Sequence, residues 1–558
     1  MVNKILSFFH KEISGLHQAA YLLGFFALGS QILALLRDKL LAFTFGAGAN
    51  LDVYYAAFRI PDFLFVTIGS VVSLSVVIPF LLQEYQKGKE SSREFIDSVF
   101  TLFLAIIIGV ALVVFLFAPT LIVWIFPGFT GHSLSTVILL TRILLLSPII
   151  LGISNLFGAL TQSKSRFFVY AVSPIVYNVG IIFGILVLYP FFGIVGLVLG
   201  VVLGALLHLS IQIPTVIHLD LLPRFTFNPK IKLVKQVILL SFPRTVTLSI
   251  SNIAIFFILS YASLMAAGSI SVFNFAFNLQ SVPLSIFGVS YSMAAFPTLS
   301  RLYASGEKEK FREQFLVSAR HIMFWTIPAS IMFIVLRAHI VRVVLGAGQF
   351  NWNDTRLTAA VLALFAVSLV LQALTLLFVR GLYSLGSTGK PFYITLISGA
   401  VMVLSAHFFA NIFETSQSFR FFMESLLKIE DLPGTSVTML ALGFTLGSVL
   451  EGLLVWYLFA KACKNITSAI LSTFFRIFSA SVIMGFVTVL GLRFFNLFFT
   501  LDTTFGVFAQ ASCSAIVGII AGLAVMWLMK SPEFSDIYKT LHQKIWKAKP
   551  VSPDTELV

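Results

Sequence analysis

The chain has 558 residues, of which 58% are hydrophobic and only 11% charged, with 60 phenylalanines. Soluble domains carry roughly 25% charged residues, so this chain could not wet its own surface, and at about 20 residues per span roughly 14 membrane helices would use half of it. The balance of 37 Lys+Arg against 23 Asp+Glu, a net +14, would suggest nucleic acid in a soluble protein; in a membrane protein it fills cytoplasmic loops, and no nucleic-acid partner is expected.

Met1 to Lys11 lack a cleavable signal pattern, so a first span near residues 16–36 reads as an uncleaved signal-anchor. Apolar runs bounded by polar or Gly/Pro breaks predict spans at about 16–45, 52–84, 95–125, 134–163, 167–189 and 191–218. A second set follows at about 234–263, 268–300, 315–345, 355–383, 391–413 and 434–462, and two more at about 468–496 and 505–530. The expected fold class is therefore an all-α polytopic membrane protein of about 14 transmembrane helices.

Every second connection is basic. Lys87, Lys89 and Arg93 are followed by Lys164 and Arg166, then by Arg224, Lys230, Lys232 and Lys235. Arg301, Lys308, Lys310 and Arg312 continue the series, then Arg380 and Lys390, then Lys461 and Lys464. With Lys4, Lys11 and the lysines after Met529, these hold 24 of the 37 basic residues. Positive charge stays cytoplasmic during insertion, which predicts cytoplasmic termini in the bacterial inner membrane. The longest outer loop, about Glu414 to Thr435, carries an amphipathic stretch, Phe419 to Ile429, suited to a membrane surface. The tail after Met529 reads as a solvated cytoplasmic helix with a disordered end.

The chain repeats itself. Ala57-Phe58-Arg59-Ile60, Pro79, Tyr85, Gly88 and Arg93-Glu94 recur as Ala276-Phe277-Asn278-Leu279, Pro297, Tyr303, Gly306 and Arg312-Glu313, 218 or 219 residues later. Six spans separate the copies, so both halves share one orientation and a pathway is expected at their interface. The expected organisation is an N-terminal six-helix lobe (1–222), a C-terminal six-helix lobe (223–464), an accessory helix pair (465–530) and a cytoplasmic tail (531–558).

Ionisable groups within a bilayer cost at least about 2.5–3.5 kcal/mol and usually line a cavity. The densest group is Arg37, Asp38, Lys39, Asp52, Arg59 and Asp62. Arg37 to Asp52 also suit a boundary where the chain turns and charges reach water. Gly46-Ala47-Gly48 allows a tight break there, a hinge or a plain loop. Arg244 lies about ten residues into the seventh run, roughly 15 Å along a helix rising 1.5 Å per residue, and Pro243 before it would loosen the helix. A central cation there suits a phosphate, although a later start of the span would bring it to the interface.

Arg142 and Glu451 are weaker candidates that an interhelical salt bridge would explain equally well. Asn178, Asn252, Asn278, Gln280 and Asn411 more often hydrogen-bond between helices than hold ligands. Cys463 and Cys513 show no metal or disulfide spacing. Without a Walker A motif, a nucleophile elbow or HExxH, no enzyme, metal or cofactor is expected.

The stretch Arg37 to Asp62, RDKLLAFTFGAGANLDVYYAAFRIPD, resembles the MurJ/MviN family, lipid II flippases of the MOP exporter superfamily. Arg37-Asp38, Phe45 to Gly48, Asp52 and Ala57 to Pro61 carry the likeness, which continues through Gly158-Ala159-Leu160, Pro174, Asn178, Ala276 to Pro283, Tyr383-Ser384 and Pro391. The resemblance implies a cavity ringed by arginines that hold the pyrophosphate of lipid II; together with the residues read above, the candidate cavity set is Arg37, Asp38, Asp52, Arg59, Arg244 and Asn278, with Gly46, Gly48 and Pro243 as candidate hinges. Gln31, Phe65-Val66 and Asn278 stand where the family pattern has arginines. Arg244 has no counterpart in that pattern and is the candidate replacement for the lost charge.

The expected activity is transport of a polyprenyl-diphosphate-linked peptidoglycan precursor to the outer leaflet by a monomer, driven by membrane potential or an ion gradient. The partners are lipid II, or a related anionic polyprenyl-linked lipid, and membrane lipids. A flippase for another lipid-linked oligosaccharide, a drug/cation antiporter, a membrane glycosyltransferase and a non-transporting scaffold are the alternatives.

Overall fold

The computed structural model of the chain describes residues 16–69, 74–387 and 389–531. The tail expected after 531 and the stretch before 16 lie outside the described residues. Within them the fold is helical, with no strand. Apolar helices are the expected outcome in lipid, where backbone N–H and C=O groups must pair within their own segment.

The first half contains α1 (Leu16–Phe45), α2 (Ala49–Ile68), α3 (Leu74–Lys87), α4 (Lys89–Ile125), α5 (Gly131–Leu144) and α6 (Leu146–Ser163). It continues with α7 (Phe167–Phe183), α8 (Ile194–Ser210) and α9 (Ile213–His218). Next come α10 (Ile231–Ala262), α11 (Ser269–Pro283), α12 (Ser290–Ala304), α13 (Lys308–Val335), α14 (Arg337–Val344) and α15 (Trp352–Ser384). The last are α16 (Gly389–Thr415), α17 (Gln417–Leu427), α18 (Val437–Ala462), α19 (Thr467–Phe495) and α20 (Thr504–Leu528).

Among the described residues, eleven helical stretches are long and apolar enough to cross a membrane. At the expected positions 16–45, 52–84 and 234–263 lie α1, α2 with α3, and α10, which are not among those eleven. α1 and α2 hold the charge cluster, and the apolar part of α10 is Ser249–Ala262. Several expected spans are not single helices: 52–84 falls on α2 and α3, 191–218 on α8 and α9, and 268–300 on α11 and α12. Residues 134–163 divide into α5 and α6 at Leu145, and 315–345 into α13 and α14 at Leu336. Wide π turns follow α7 at Gly184–Leu188 and α11 at Leu284–Val289; the second begins directly after Pro283, whose ring cannot continue an α-helical hydrogen-bond ladder.

Two compact units emerge. The first comprises Met1–Val282, Val344–Phe365 and Thr388–Glu451. In it α7 and α8 nearly touch: a Cβ on Gly180 would lie 2.3 Å from the Cα of Gly204, and one on Gly184 2.6 Å from that of Gly200. Such small-residue seams replace hydrophobic drive in helix association within lipid. Phe273, Phe277, Phe365 and Phe444 pack edge-to-face in the same unit, with Phe273 and Phe365 centroids 5.1 Å apart.

The second unit comprises Pro283–Val343, Ala366–Ser387 and Gly452–Val558. Its described core includes Phe315, Phe378 and Phe459, all fully buried. The amphipathic loop segment forms α17. Ser416 caps its start by accepting from Phe419 N at 3.4 Å, Lys428 closes it in a left-handed conformation, and Phe421, Phe422 and Leu426 stay exposed.

Candidate functional site

The charge cluster falls in the first unit, on α1, α2, α7 and α11. α1 ends at Phe45 and the chain reverses through Gly46. Gly46 has φ +60°, and a Cβ there would lie 2.7 Å from the carbonyl oxygen of Gln349, so this position requires glycine. Gly48 is ordinary extended backbone, φ −127° and ψ 177°, which any residue adopts. Of the two glycines expected to act together, only Gly46 is demanded by the backbone.

Beyond the turn, Asp52 in the first turn of α2 reaches across to α11. Its Oδ2 accepts from Gly268 N at 2.6 Å, and its Oδ1 accepts from Ser271 N at 2.7 Å and Ser271 Oγ at 2.6 Å. The carboxylate thus caps the first turn of α11, where backbone N–H groups have no helical partner and the helix dipole favours negative charge. Gln349 N donates to Phe43 O at 2.9 Å beside it. Asp52 is 5% exposed. It is a tie between the two repeats, set apart from the arginines.

Arg37 and Asp38 lie two turns back along α1. Arg37 donates to Asp38 Oδ1 from Nη2 at 2.8 Å and from Nε at 3.0 Å. Asp38 Oδ2 accepts from Asn278 Nδ2 at 3.0 Å, and Arg37 Nη1 donates to Asn178 Oδ1 at 3.4 Å. Asn178 in turn donates to Ser30 Oγ at 3.2 Å. Helices α1, α7 and α11 are therefore joined through one ion pair and two amides.

Arg59 on α2 donates to Asn274 Oδ1 on α11. Asn274 is held by its own bond to the Ile270 carbonyl at 2.7 Å. Arg59 Nε and Tyr55 Oη are buried with no hydrogen-bond partner among the described residues. Asp62 stands three residues after Arg59 on the same helix and is exposed. Asp38 thus balances Arg37, and a buried guanidinium without such compensation would be strongly unfavourable. A diphosphate entering here has two guanidiniums to bind, with Asp38 to displace at Arg37 and the Asn274 amide at Arg59.

Arg37, Asp38, Arg59 and Asn278 of the expected cavity set are thus brought together. Asp52 belongs to the neighbouring tie. α10 runs unbroken from Ile231 to Ala262 through Pro243, but the side chains of residues 240–248 lie outside the described residues, so Pro243 and Arg244 are not placed in the site. Arg142 donates to the Phe115 carbonyl at 3.1 Å, its guanidinium 4.9 Å from that ring's centre. Glu451 accepts from Thr395 Oγ1 at 2.8 Å. Neither makes a salt bridge among the described residues.

Asn274 and Ser271 escaped the sequence reading, and Asp62 was noted without being assigned to the cavity. Two signals pointed to them: Asn274 precedes Asn278 by four residues and so shares its helix face, and Ser271 is the repeat counterpart of Asp52 at the 219-residue offset.

Comparison with known proteins was consistent across three approaches. A family model described as lipid II flippase MurJ matches residues 41–417. A probable lipid II flippase MurJ of Rhizobium tropici is 27% identical over 389 residues, covering 67% of this chain and 72% of that protein. Its counterpart in Thermotoga maritima is 27% identical over 478 residues, covering 79% and 95%. Among solved structures, a lipid II flippase MurJ in an inward closed conformation superposes with a TM-score of 0.72 at 23% identity, over 93% of this chain and 99% of that one. An inward-facing multidrug MATE transporter of the MOP superfamily gives 0.63 at 14% identity, over 78% and 96%. These structural likenesses establish the fold.

Proposed function

Because the chain belongs to the MurJ lipid II flippase family, we propose that it carries lipid II from the inner to the outer leaflet of the bacterial cytoplasmic membrane, with both termini in the cytoplasm. It acts as a transporter, with no covalent chemistry on its cargo. The observation that carries the reading is the convergence of Arg37 and Arg59 with Asp38, Asn178, Asn274 and Asn278 across four helices and both repeats.

The diphosphate of the cargo exchanges for Asp38 at Arg37 and for the Asn274 amide at Arg59. Guanidinium forks suit phosphate oxygens, and the polyprenyl tail remains in lipid. Two arginines already held by Asp38 and Asn274 bind more weakly than a bare cationic ring, which favours release. Opening toward the outer leaflet requires Asp52 to leave the first turn of α11 and the Gly46 turn to part from Gln349. Each is a discrete set of contacts, so the change is two-state.

Energy comes from the membrane potential or an ion gradient; one charge moved through 100 mV supplies about 2.3 kcal/mol. The test is complementation of a bacterium depleted of its own flippase, paired with a measure of lipid II exposed on the outer leaflet. Rescue with restored exposure supports the reading. Failure at normal expression rejects lipid II and favours another lipid-linked oligosaccharide.

A further inference from the structure

Helices α13 and α19 pack tightly through their later halves and part through their earlier ones. A Cβ on Gly485 would lie 2.7 Å from Ile331 Cγ2, and Thr488 Oγ1 meets Met332 Sδ at 3.6 Å. Toward the start of both helices the gap widens into a cavity of about 450 Å³. Four cations, Lys310, Arg312, Arg320 and Arg476, share its walls with two carboxylates, Glu309 and Glu313. Part of that charge is already used: Lys310 pairs with Glu307 at 2.5 Å and Arg312 with Glu309 at 2.9 Å. Arg320 has no ion pair among the described residues.

The cavity is amphiphilic. Met323 and Ile470 line its apolar side. Beside Arg476, Phe475 and Phe478 of α19 are exposed, a surface that suits acyl chains and not water. Arg320 lies 12 residues into α13 and Arg476 nine into α19, roughly 18 and 14 Å at 1.5 Å per residue, and α13 opens with the basic segment Lys308 to Arg312. That combination is the sign of an interfacial depth on the cytoplasmic side.

We propose that this cleft holds the headgroup of an anionic phospholipid of the cytoplasmic leaflet. Its phosphodiester sits between Arg320 and Arg476, and its acyl chains lie along Phe475 and Phe478. The guanidinium fork matches phosphate oxygens bidentately, and the exposed Ser472, whose Oγ accepts from Arg476 Nη2 at 3.4 Å, supplies a hydroxyl at the rim. A soluble phosphate would leave the apolar wall and the two phenylalanines unused, which is why the occupant is a lipid. The site docks the accessory helix α19 to the repeat helix α13 through a lipid wedge. The inference rests on the membrane orientation proposed above and not on the identity of the cargo.

The full-length protein in detergent would be exposed separately to phosphatidylglycerol and phosphatidylcholine, and retained lipid counted by native mass spectrometry. The parent protein is expected to retain phosphatidylglycerol in preference, and the Arg320→Gln/Arg476→Gln double variant to lose about tenfold of that retention with phosphatidylcholine unchanged. Ser472→Glu, an exposed change that sets a carboxylate beside Arg476, is expected to do the same and guards against misfolding of the double variant. Equal phosphatidylglycerol retention by all three proteins overturns the proposal, as does parallel loss of both lipids or displacement of the lipid by excess inorganic phosphate. Lipid retention is read without transport, so its failure is distinct from failure to move lipid II.

Discussion

Asp52 and Ser271 stand at equivalent positions of the two repeats, 219 residues apart, and hydrogen-bond to each other, Ser271 Oγ to Asp52 Oδ1 at 2.6 Å. The pair joins α2 to α11. The repeat has diverged at this point: one copy presents a carboxylate and the other the open first turn of a helix. A contact between copies has become an ion-to-dipole tie that identical residues could not make.

Removing the carboxylate should therefore loosen that end of the protein. Asp52→Ala strips a partner from the Gly268 and Ser271 amides, at about 1–3 kcal/mol for each group left unpaired. Ser271→Ala removes only the hydroxyl, at about 0.5–1.5 kcal/mol. The expected order in thermal unfolding is parent, then Ser271→Ala, then Asp52→Ala. A cysteine introduced at Ala47 should react faster with an impermeant maleimide in the Asp52→Ala background. Unchanged labelling would show that the tie does not hold this end closed.

Gly46 and Gly48 separate by backbone geometry. Gly46→Ala places a Cβ in left-handed backbone, costing roughly 1–2 kcal/mol, and against the Gln349 oxygen at 2.7 Å. Gly48→Ala meets only ordinary contact, 3.4 Å from the Phe45 oxygen. Thermal unfolding should fall for the first and stay within about 0.5 kcal/mol for the second.

At the arginine pair, Arg37→Ala leaves Asp38 buried at 3% exposure with the Asn278 amide still donating to it. Breaking a buried pair costs about 3–5 kcal/mol, and transport should be lost. Adding Asp38→Asn should recover stability but not transport, because the cation that binds phosphate is still missing. Recovery of both would mean that Arg37 serves only to neutralise Asp38.

Arg244 is proposed to supply the charge absent at Asn278. Arg244→Ala should then reduce transport as Arg37→Ala does, and adding Asn278→Arg should restore it. Complementation with all three variants checks this. Intact transport by Arg244→Ala beside loss by Arg37→Ala refutes the replacement.

A pH effect is expected outside the membrane helices. Hydrogen bonding from Lys89 at 2.9 Å, and the charges of Lys89 and of Arg93 at 3.2 Å, hold the Asp220 carboxyl below its ordinary value. A depressed folded pKa contributes stability above the unfolded value of about 3.9, and that contribution is lost as pH falls through the folded pKa. Asp220→Asn should lower the unfolding temperature slightly at neutral pH and leave it unchanged at a pH below both values. High salt should shrink the neutral-pH difference, since the pair is exposed.

Much of this was legible in the chain before folding. Too few charged residues to cover a soluble surface forced a membrane helix bundle, because lipid accepts only backbone that is paired within itself. Arg37 to Asp62 carried the family, and the offset between Ala57-Phe58-Arg59-Ile60 and Ala276-Phe277-Asn278-Leu279 revealed the duplication. Local pattern could not show that Arg37 is neutralised by its own neighbour, that Arg59 turns to Asn274, or that Asp52 leaves the arginines to cap α11. Asp38 meets Asn278 across 240 residues and Arg59 meets Asn274 across 215. Hydrogen bonds reach about 3 Å and depend on angle, so which groups meet over such separations was settled by helix packing alone.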